Sequence, residues 1–597
     1  MAPHADRLKA LRAELKSRDL AGFIIPLTDE HMSEYVGAYA QRLAWVTNFT
    51  GSAGNGVVLL DKAAVFVDGR YTVQVAEQVD DALFERHHFM EYPLLKWITD
   101  HAPKGSKVGY DPELATVAWE ETARAAFDAA GIGLVAVEGN PIDAVWTEQP
   151  EEPLAPAAVQ TDEYAGQSVQ EKRAAIAAEL KEKGADAAVV TMLDSVAWAF
   201  NIRGTDVDNT PVTHAFALLG ADEQATLFIN SAKVTDEVRT HLGNHVRVEP
   251  REAFYDTLAG LGAEGKTVLV DRATNNAKVF KTLRDAGAKL VEGADPCIIR
   301  KAVKNTTEQQ GSRDAHIRDG AAISEFLCWL SSEAPKGTVD ELKAVDTLWQ
   351  FRQKRAMLKD TSFDTISGAG PHAALPHYRV TEESNRPLKM DEIYLVDSGG
   401  QYLDGTTDIT RTIIVGTPSA EMKDRFTRVL KGHIGLSTTR FPKGTPGMAL
   451  DTIARAPLWQ AGLDYDHGTG HGVGAYLAVH EGPQRIAKGA SDVPLQEGMI
   501  LSNEPGYYKA GAYGIRIENL VLVKKVPGEH EREMFEFENL TWAPIDRNLI
   551  DVDLMTDAEL DWLNAYHAEV LAKVGPLVDD ITKPWLEAAT APLTRAA

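Results

Sequence analysis

The chain has 597 residues, 44% hydrophobic and 25% charged, which is too long for one core and suits several globular domains. A formal net charge of -26 argues against a nucleic-acid backbone as the main partner, and no run of 18 apolar residues marks a membrane span. Two cysteines, Cys297 and Cys328, exclude a disulfide scaffold and a thiolate metal centre; the N-terminus has no apolar signal core, and the cytoplasm is the expected compartment.

In chain order, "MAPHADRLKALRAELKSRDLAG" predicts an amphipathic helix over 8–19, and "AGFIIPL" predicts a buried strand. Next, "LAWVTNFTGSAGNGVVLLDKAAVFVDGRY" carries apolar runs at 56–60 and 64–67 separated by glycines and turn residues, which completes an α/β unit. The charged, proline-bearing stretch "EQPEEPLAPAAVQTDE" marks a boundary. The same grammar then returns, with a helix over about 166–183, the segment "ADAAVVTMLDSVAWAFNIRG" and the strands "HAFALLG" and "ATLFIN". Each half has an Ala-Trp pair, Ala44-Trp45 and Ala197-Trp198, between a strand and a glycine-bearing turn, which reads as a weak internal duplication. The predicted domains are 1–155, 156–303 and 304–597. The third opens with helices through about 358, becomes strand-rich, and closes on a helix over "DLMTDAELDWLNAYHAEVLAKV".

The third domain concentrates the polar residues of interest. "YLVDSGGQYLDGTTDITRTI" puts Asp397 at the end of an apolar run and Asp408 inside a run rich in threonine and isoleucine. "DHGTGHGVG" sets His467 and His471 in a glycine-rich turn, and "LAVHEGP" adds His480. "ILSNEPGYY" presents Glu504 after an apolar run, and "YGIRIENLVLV" spaces Arg516 and Glu518 two apart on a strand, hence on one face. Upstream, "PHAALPHYR" offers His372 and His377. Any one of these residues alone is more often solvated or structural than catalytic. Together they are different, because four carboxylates in apolar strands carry a large desolvation cost and repel one another. Divalent cations remove both objections. Four carboxylates with one imidazole and no thiolate suit Mn2+, Co2+, Fe2+ or Zn2+, and are enough for two ions about 3.5–4 Å apart. A water held between two such ions is a nucleophile near neutral pH, so the chemistry indicated is hydrolysis.

Asp397, Asp408, His471, Glu504 and Glu518 resemble, in type and order, the five ligands of the pita-bread-fold metallopeptidases. The segments "VDSGGQYLDGTTDITRTI", "HGTGHGVG", "NEPGYY" and "GIRIEN" are similar to the aminopeptidase P pattern. The length, the two preceding α/β units and the segments "DEHMSEY", "FTGSAG" and "VDGRY" resemble the long, three-domain form. The resemblance implies two creatinase-like α/β domains followed by an α+β pita-bread catalytic domain with a C-terminal helical extension. It implies two divalent ions, Mn2+ first with Zn2+ or Co2+ as alternatives. Asp397 would be a terminal ligand, Asp408 and Glu518 bridges, and His471 and Glu504 the remainder. It further implies Glu504 as acceptor of the nucleophile's proton, and His377 and His480 holding the substrate carbonyl and oxyanion. His467 would shape the proline pocket, and Arg516 would orient the carboxylates. The substrates implied are peptides with proline second, and the assembly a homodimer.

Prolidase shares the ligand set but prefers dipeptides and usually has one N-terminal domain. Methionine aminopeptidase lacks such large preceding domains, and a non-catalytic peptide-binding relative would be expected to have lost ligands. "FTGSAGNG" matches neither phosphate-binding glycine motif, so phosphoryl transfer is disfavoured. "RGTDVDNTP" at 203–211 stays open as a substrate or dimer contact, His433 reads as helix packing, and both cysteines read as quiet thiols.

Overall fold

The computed structural model describes residues 3–489 and 491–595. The chain divides into two compact units: Met1–Gln160 with Gln167–Ile298, and Thr161–Gly166 with Ile299–Ala597.

In the first unit, helix α1 (Pro3–Ser17) buries Leu8, Leu11 and Leu15, the three-and-four spacing of one helical face. Strands β1 (Gly22–Pro26), β2 (Asn55–Leu59), β3 (Ala63–Val67), β4 (Glu85–His88), β5 (Lys107–Tyr110) and β6 (Gly133–Ala136) form a sheet in the order β4-β3-β2-β1-β5-β6, with helix α2 (Arg42–Thr47) between β1 and β2. After helix α3 (Val169–Glu182) come β7 (Ala187–Val190), helix α4 (Leu193–Phe200), β8 (Ala215–Gly220), β9 (Ala225–Ile229), β10 (Val246–Glu249), β11 (Thr267–Val270) and β12 (Lys289–Glu292), in the order β10-β9-β8-β7-β11-β12. The two sheets agree pair for pair. In each, the first strand is antiparallel to the second and parallel to the fifth. The other pairings also match. Trp45 and Trp198 occupy equivalent helices, α2 and α4, between the first and second strands. The duplication is therefore one of topology.

Helix α3 starts later than its composition suggests, because Gly166 takes φ +65 and ends a preceding turn, and Ser168 with Glu171 forms a capping box. The "RGTDVDNTP" segment is tied to the residues that follow it: buried Asp206 accepts from Thr213 Oγ1 (2.9 Å), the His214 amide (2.7 Å) and Lys233 Nζ (2.6 Å). Those bonds give Asp206 a structural role.

The second unit opens with helices α5 (Thr306–Glu333) and α6 (Glu341–Arg352). Strands β13 (Ile366–Ala369), β14 (Glu392–Ser398) and β15 (Ile409–Val415) form an antiparallel sheet in that order. Helix α7 (Ala420–Ser437), strand β16 (Phe441–Pro442) and helix α8 (Met448–Trp459) follow. Then come β17 (Gly470–Gly472), β18 (Glu481–Ile486), β19 (Ile500–Asn503), the hairpin β20 (Gly506–Lys509) and β21 (Tyr513–Arg516), β22 (Asn519–Lys525) and β23 (Met534–Asn539). A second antiparallel sheet runs β16-β23-β22-β19-β17-β18. Helix α9 (Asp557–Val574) begins with a capping box from Thr556 and Glu559, and its Leu563 and Val570 share a core with Ile393, Ile414, Ile515 and Ile517. The C-terminal helix is thus part of the wall behind the strands that carry the polar cluster. Among the described residues no helix is long and apolar enough to cross a membrane.

Candidate metal centre

Asp397 ends its apolar run on β14, paired across the sheet with Thr410 of β15. Asp408 lies immediately before β15 rather than inside it, and His471 lies on β17 rather than in a turn. The glycines beside His471 serve close strand approach: a Cβ on Gly470 would come within 1.9 Å of the Ser502 carbonyl oxygen, and one on Gly472 within 2.2 Å of that of Glu481. Glu504 follows β19, held by its amide donating to the Thr469 carbonyl at 2.8 Å. Arg516 and Glu518 do not share a strand. Arg516 ends β21 and Glu518 sits in the break before β22, where Ile517 turns into the core. They still converge, since Arg516 Nε donates to Thr410 Oγ1 (3.0 Å) and Thr410 Oγ1 donates to Glu518 Oε2 (2.7 Å).

One ligand atom from each of Asp408, His471 and Glu518 lies within 4.8 Å of the other two. His471 Nε2 is 3.4 Å from Asp408 Oδ2 and 3.5 Å from Glu504 Oε1. Its Nδ1 is 2.9 Å from the Gly472 carbonyl, which only accepts, so Nδ1 carries the hydrogen and Nε2 faces the carboxylates with its lone pair when the ring is neutral. Asp397 joins through Arg516, whose Nη2 donates to its Oδ2 at 2.6 Å. The other oxygen, Oδ1, is buried without a hydrogen-bond partner among the described residues.

The electrostatics carry the cost anticipated for such a cluster. Burial, with Asp408, Asp397 and Glu504 nearby, holds the Glu518 carboxyl well above its ordinary range. Burial raises Asp408 to about 6, with the charges of Asp397 and Glu504 adding to it against the His471 hydrogen bond. For His471, burial opposes the charged ring, but the bond to Asp408 and the charge of Glu504 win and lift it to about 9. Four carboxylates face one guanidinium, and the protonation favoured at Glu518 and Asp408 is what cations would displace. An orphaned buried carboxylate oxygen, an imidazole lone pair and bridging-capable carboxylates fit two hard divalent ions.

Around this set, His480 stacks edge-on against His471, ring centroids 4.4 Å apart. His467 donates from Nδ1 to the Gly468 carbonyl (2.7 Å), leaving Nε2 to accept from the Tyr508 hydroxyl (2.7 Å). Tyr508 Oη in turn accepts from Arg516 Nη1 at 2.6 Å. A single chain, His467–Tyr508–Arg516–Asp397, therefore links the outer histidine to a carboxylate of the cluster. Tyr508 and Thr410 are absent from the sequence-based candidates. Thr410 was accessible from strand alternation, two residues after Asp408 and two before Thr412, which bonds the Arg516 backbone. His377 sits on the connection between β13 and β14, which packs against β21: a Cβ on Gly514 would meet the Ala373 carbonyl oxygen at 1.7 Å. His433 is buried in α7, with Nδ1 donating to the Asn503 carbonyl at 3.1 Å, beside Glu504. His372 bonds to Glu341 rather than to the carboxylate cluster.

Comparison with known proteins agrees with this architecture. Residues 310–525 match the model of metallopeptidase family M24, 7–144 and 148–308 match two creatinase/prolidase N-terminal domain models, and 533–593 match the C-terminal region of peptidase M24. The chain is 40% identical to the probable Xaa-Pro aminopeptidase P of Penicillium rubens, covering 99% of both proteins. It is 41% identical to that of Talaromyces marneffei, over 99% of this chain and 92% of the relative. The crystal structure of X-prolyl aminopeptidase from Caenorhabditis elegans, described as a cytosolic enzyme with a di-nuclear active site, superposes with a TM-score of 0.95 at 34% identity, over 99% of this chain and 100% of that one. The Xaa-Pro dipeptidase of Bacillus anthracis shares the fold at a TM-score of 0.52 and 23% identity, over 64% of this chain and 99% of that one. With full-length relatives at this level of identity, the chain belongs to the aminopeptidase P family of pita-bread-fold M24 metallopeptidases.

Proposed function

We propose that this protein is a dinuclear metal-dependent aminopeptidase that hydrolyses the bond between an N-terminal residue and a following proline. The observation that carries the reading is the gathering of Asp408, His471 and Glu518, with Glu504 beside His471 and Asp397 tied in through Arg516, a set whose burial and mutual repulsion divalent cations would relieve. Asp408 and Glu518 would bridge two ions, with Asp397 on one and His471 and Glu504 on the other, and Mn2+ is the preferred metal. When bound, such ions lower the pKa of a water between them and polarise the scissile carbonyl.

The remaining steps belong to the chain's own residues. Glu504 takes the proton of the attacking water at a carboxylate oxygen and is aligned by Ser502 Oγ, which donates to its Oε1 at 3.1 Å. His480 and His377 hold the substrate carbonyl and then the oxyanion. Arg516 fixes the direction of Asp397, and through Tyr508 it fixes His467 at the wall of the proline slot. A residue–proline bond is a tertiary amide with no N–H, so shape and proton delivery to the departing nitrogen replace the hydrogen bond that other peptidases use. The family models over 7–144, 148–308 and 310–525 support a three-domain division near 155 and 303, and the cytosolic relative supports a cytoplasmic compartment, while the homodimer rests on the family resemblance.

The test is release of the first residue from a residue-Pro-residue tripeptide and from the matching residue-Pro dipeptide, before and after chelation. Metal-dependent preference for the tripeptide supports the proposal. A dipeptide preference moves the substrate to that of prolidase, and cleavage of neither overturns the assignment.

A further inference from the structure

The connection between β13 and β14, residues 370–391, carries His377 and is long enough to be mobile if nothing tied it down. One side chain ties it at three places and also holds the end of β13 before it. Glu341, the first residue of α6, is fully buried. Its Oε1 accepts from the Ala369 amide (2.8 Å) and from His372 Nδ1 (2.8 Å). Its Oε2 accepts from the Tyr378 hydroxyl (3.1 Å) and from the Arg386 amide (3.2 Å). The donors come from the start, the middle and the far part of the connection, and Tyr378 is the residue next to His377. Secondary contacts tighten the same arrangement. The His372 and Tyr378 rings lie 4.5 Å apart, the Tyr378 and Ser384 hydroxyls are within hydrogen-bond distance (2.9 Å), and Arg386 pairs with Glu392 (2.9 Å).

We propose that Glu341 is a positioning residue that holds the His377 connection in the conformation that meets the substrate carbonyl. The inference rests on the role given to His377 above. The side-chain bonds of Glu341 go to residues 369–386 and not to the carboxylate cluster, so Glu341 acts on the reaction through that segment. A carboxylate is the group suited to this hub, since it offers only acceptors and all four neighbours present N–H or O–H. Glutamine keeps the size but turns an NH2 toward one pair of donors, leaving both pairs unable to be satisfied at once.

The test is a double-mutant cycle with E341Q, H377A and the double variant, in the metal-loaded enzyme with a residue-Pro-residue tripeptide. E341Q is expected to lower kcat by about 10- to 100-fold, the usual cost of a misplaced catalytic contact. Bound metal stays at the wild-type stoichiometry. In the H377A background the same change should cost no more than about 2-fold, because the group that Glu341 positions is already gone. Equal costs in both backgrounds, or an unchanged kcat in E341Q, overturn the proposal. Wild-type turnover in H377A also overturns it, and identifies the reading of His377 as the step that failed. Should E341Q not fold, Y378F removes one donor to Glu341 and goes through the same cycle with the same expected non-additivity.

Discussion

Replacing Arg516 by lysine keeps a positive charge and removes the fork. In the structure that fork reaches three acceptors: Asp397 Oδ2 at 2.6 Å, Tyr508 Oη at 2.6 Å and Thr410 Oγ1 at 3.0 Å. An ammonium on a single stem can keep the strongest of them, the ion pair with Asp397, and loses the other two. Hydrogen bonds involving a charged partner are worth about 1.5–3 kcal/mol each, which bounds the loss at about 3–6 kcal/mol before relaxation. Most of that falls on folding stability. The part felt at the metals is the freedom Asp397 gains, and loss of such an outer partner costs about 10- to 100-fold in metal affinity. The consequence reaches His467 too, because Tyr508 no longer has its donor and, on the proposed role of His467, the proline slot loosens. The assay is a competitive chelator titration alongside steady-state kinetics on a residue-Pro-residue tripeptide. R516K should bind metal about 10- to 100-fold more weakly, with a raised KM when saturated with metal. Metal affinity and KM both equal to wild type would refute the chain of contacts from His467 to Asp397 as a functional unit.

D408A removes the carboxylate beside His471 and Glu518, so on the proposed bridging role activity should vanish and metal content fall below two per chain; retained turnover at full occupancy would exclude that role. H480A should lower turnover by about 100-fold or more while leaving both ions bound, and atomic absorption on the purified variant distinguishes this from a lost ligand. His567 is buried, its Nε2 accepts the Ile545 amide at 3.1 Å, and burial first, then Arg411, pushes its pKa down to about 3. Between pH 6.5 and 3 the unfolded chain binds a proton there that the folded chain refuses, so this group costs stability as pH falls, at about 1.4 kcal/mol per unit. Between pH 8 and 5, H567Q should therefore lose about 2 kcal/mol less stability than wild type in urea unfolding. Parallel pH profiles would contradict a neutral, acceptor-bound His567.

The candidate carboxylates were legible because charge inside apolar runs is expensive, and Asp397, Asp408, Glu504 and Glu518 each interrupt or end such a run. Where the local reading failed, tertiary geometry decided. The break between Arg516 and Glu518 arises where the chain leaves the β20–β21 hairpin for the larger sheet, and nothing in "GIRIEN" marks it. Tyr508 gained its position only because that hairpin pairs Gly506 with Arg516 and turns the Tyr508 hydroxyl toward the guanidinium. Glu341 was invisible for a similar reason, since its four partners lie 28 to 45 residues away. The grouping of the two N-terminal sheets in one unit follows from contacts of still longer range. Arg251 donates to Glu30 and lies 3.0 Å from His31 Nε2, across more than two hundred residues of chain. Their duplication was visible in the returning helix-and-strand pattern and the repeated Ala-Trp pair, but the strand order was not.

The central claim is that the buried carboxylates are balanced by two cations. Its most direct test is a stoichiometric titration: chelated, metal-free protein receives Mn2+ in steps while bound metal and tripeptide turnover are read on the same samples. Two equivalents bound per chain, with full turnover reached only at the second, is the predicted result. Saturation of turnover at one equivalent, or turnover without any metal, would contradict it.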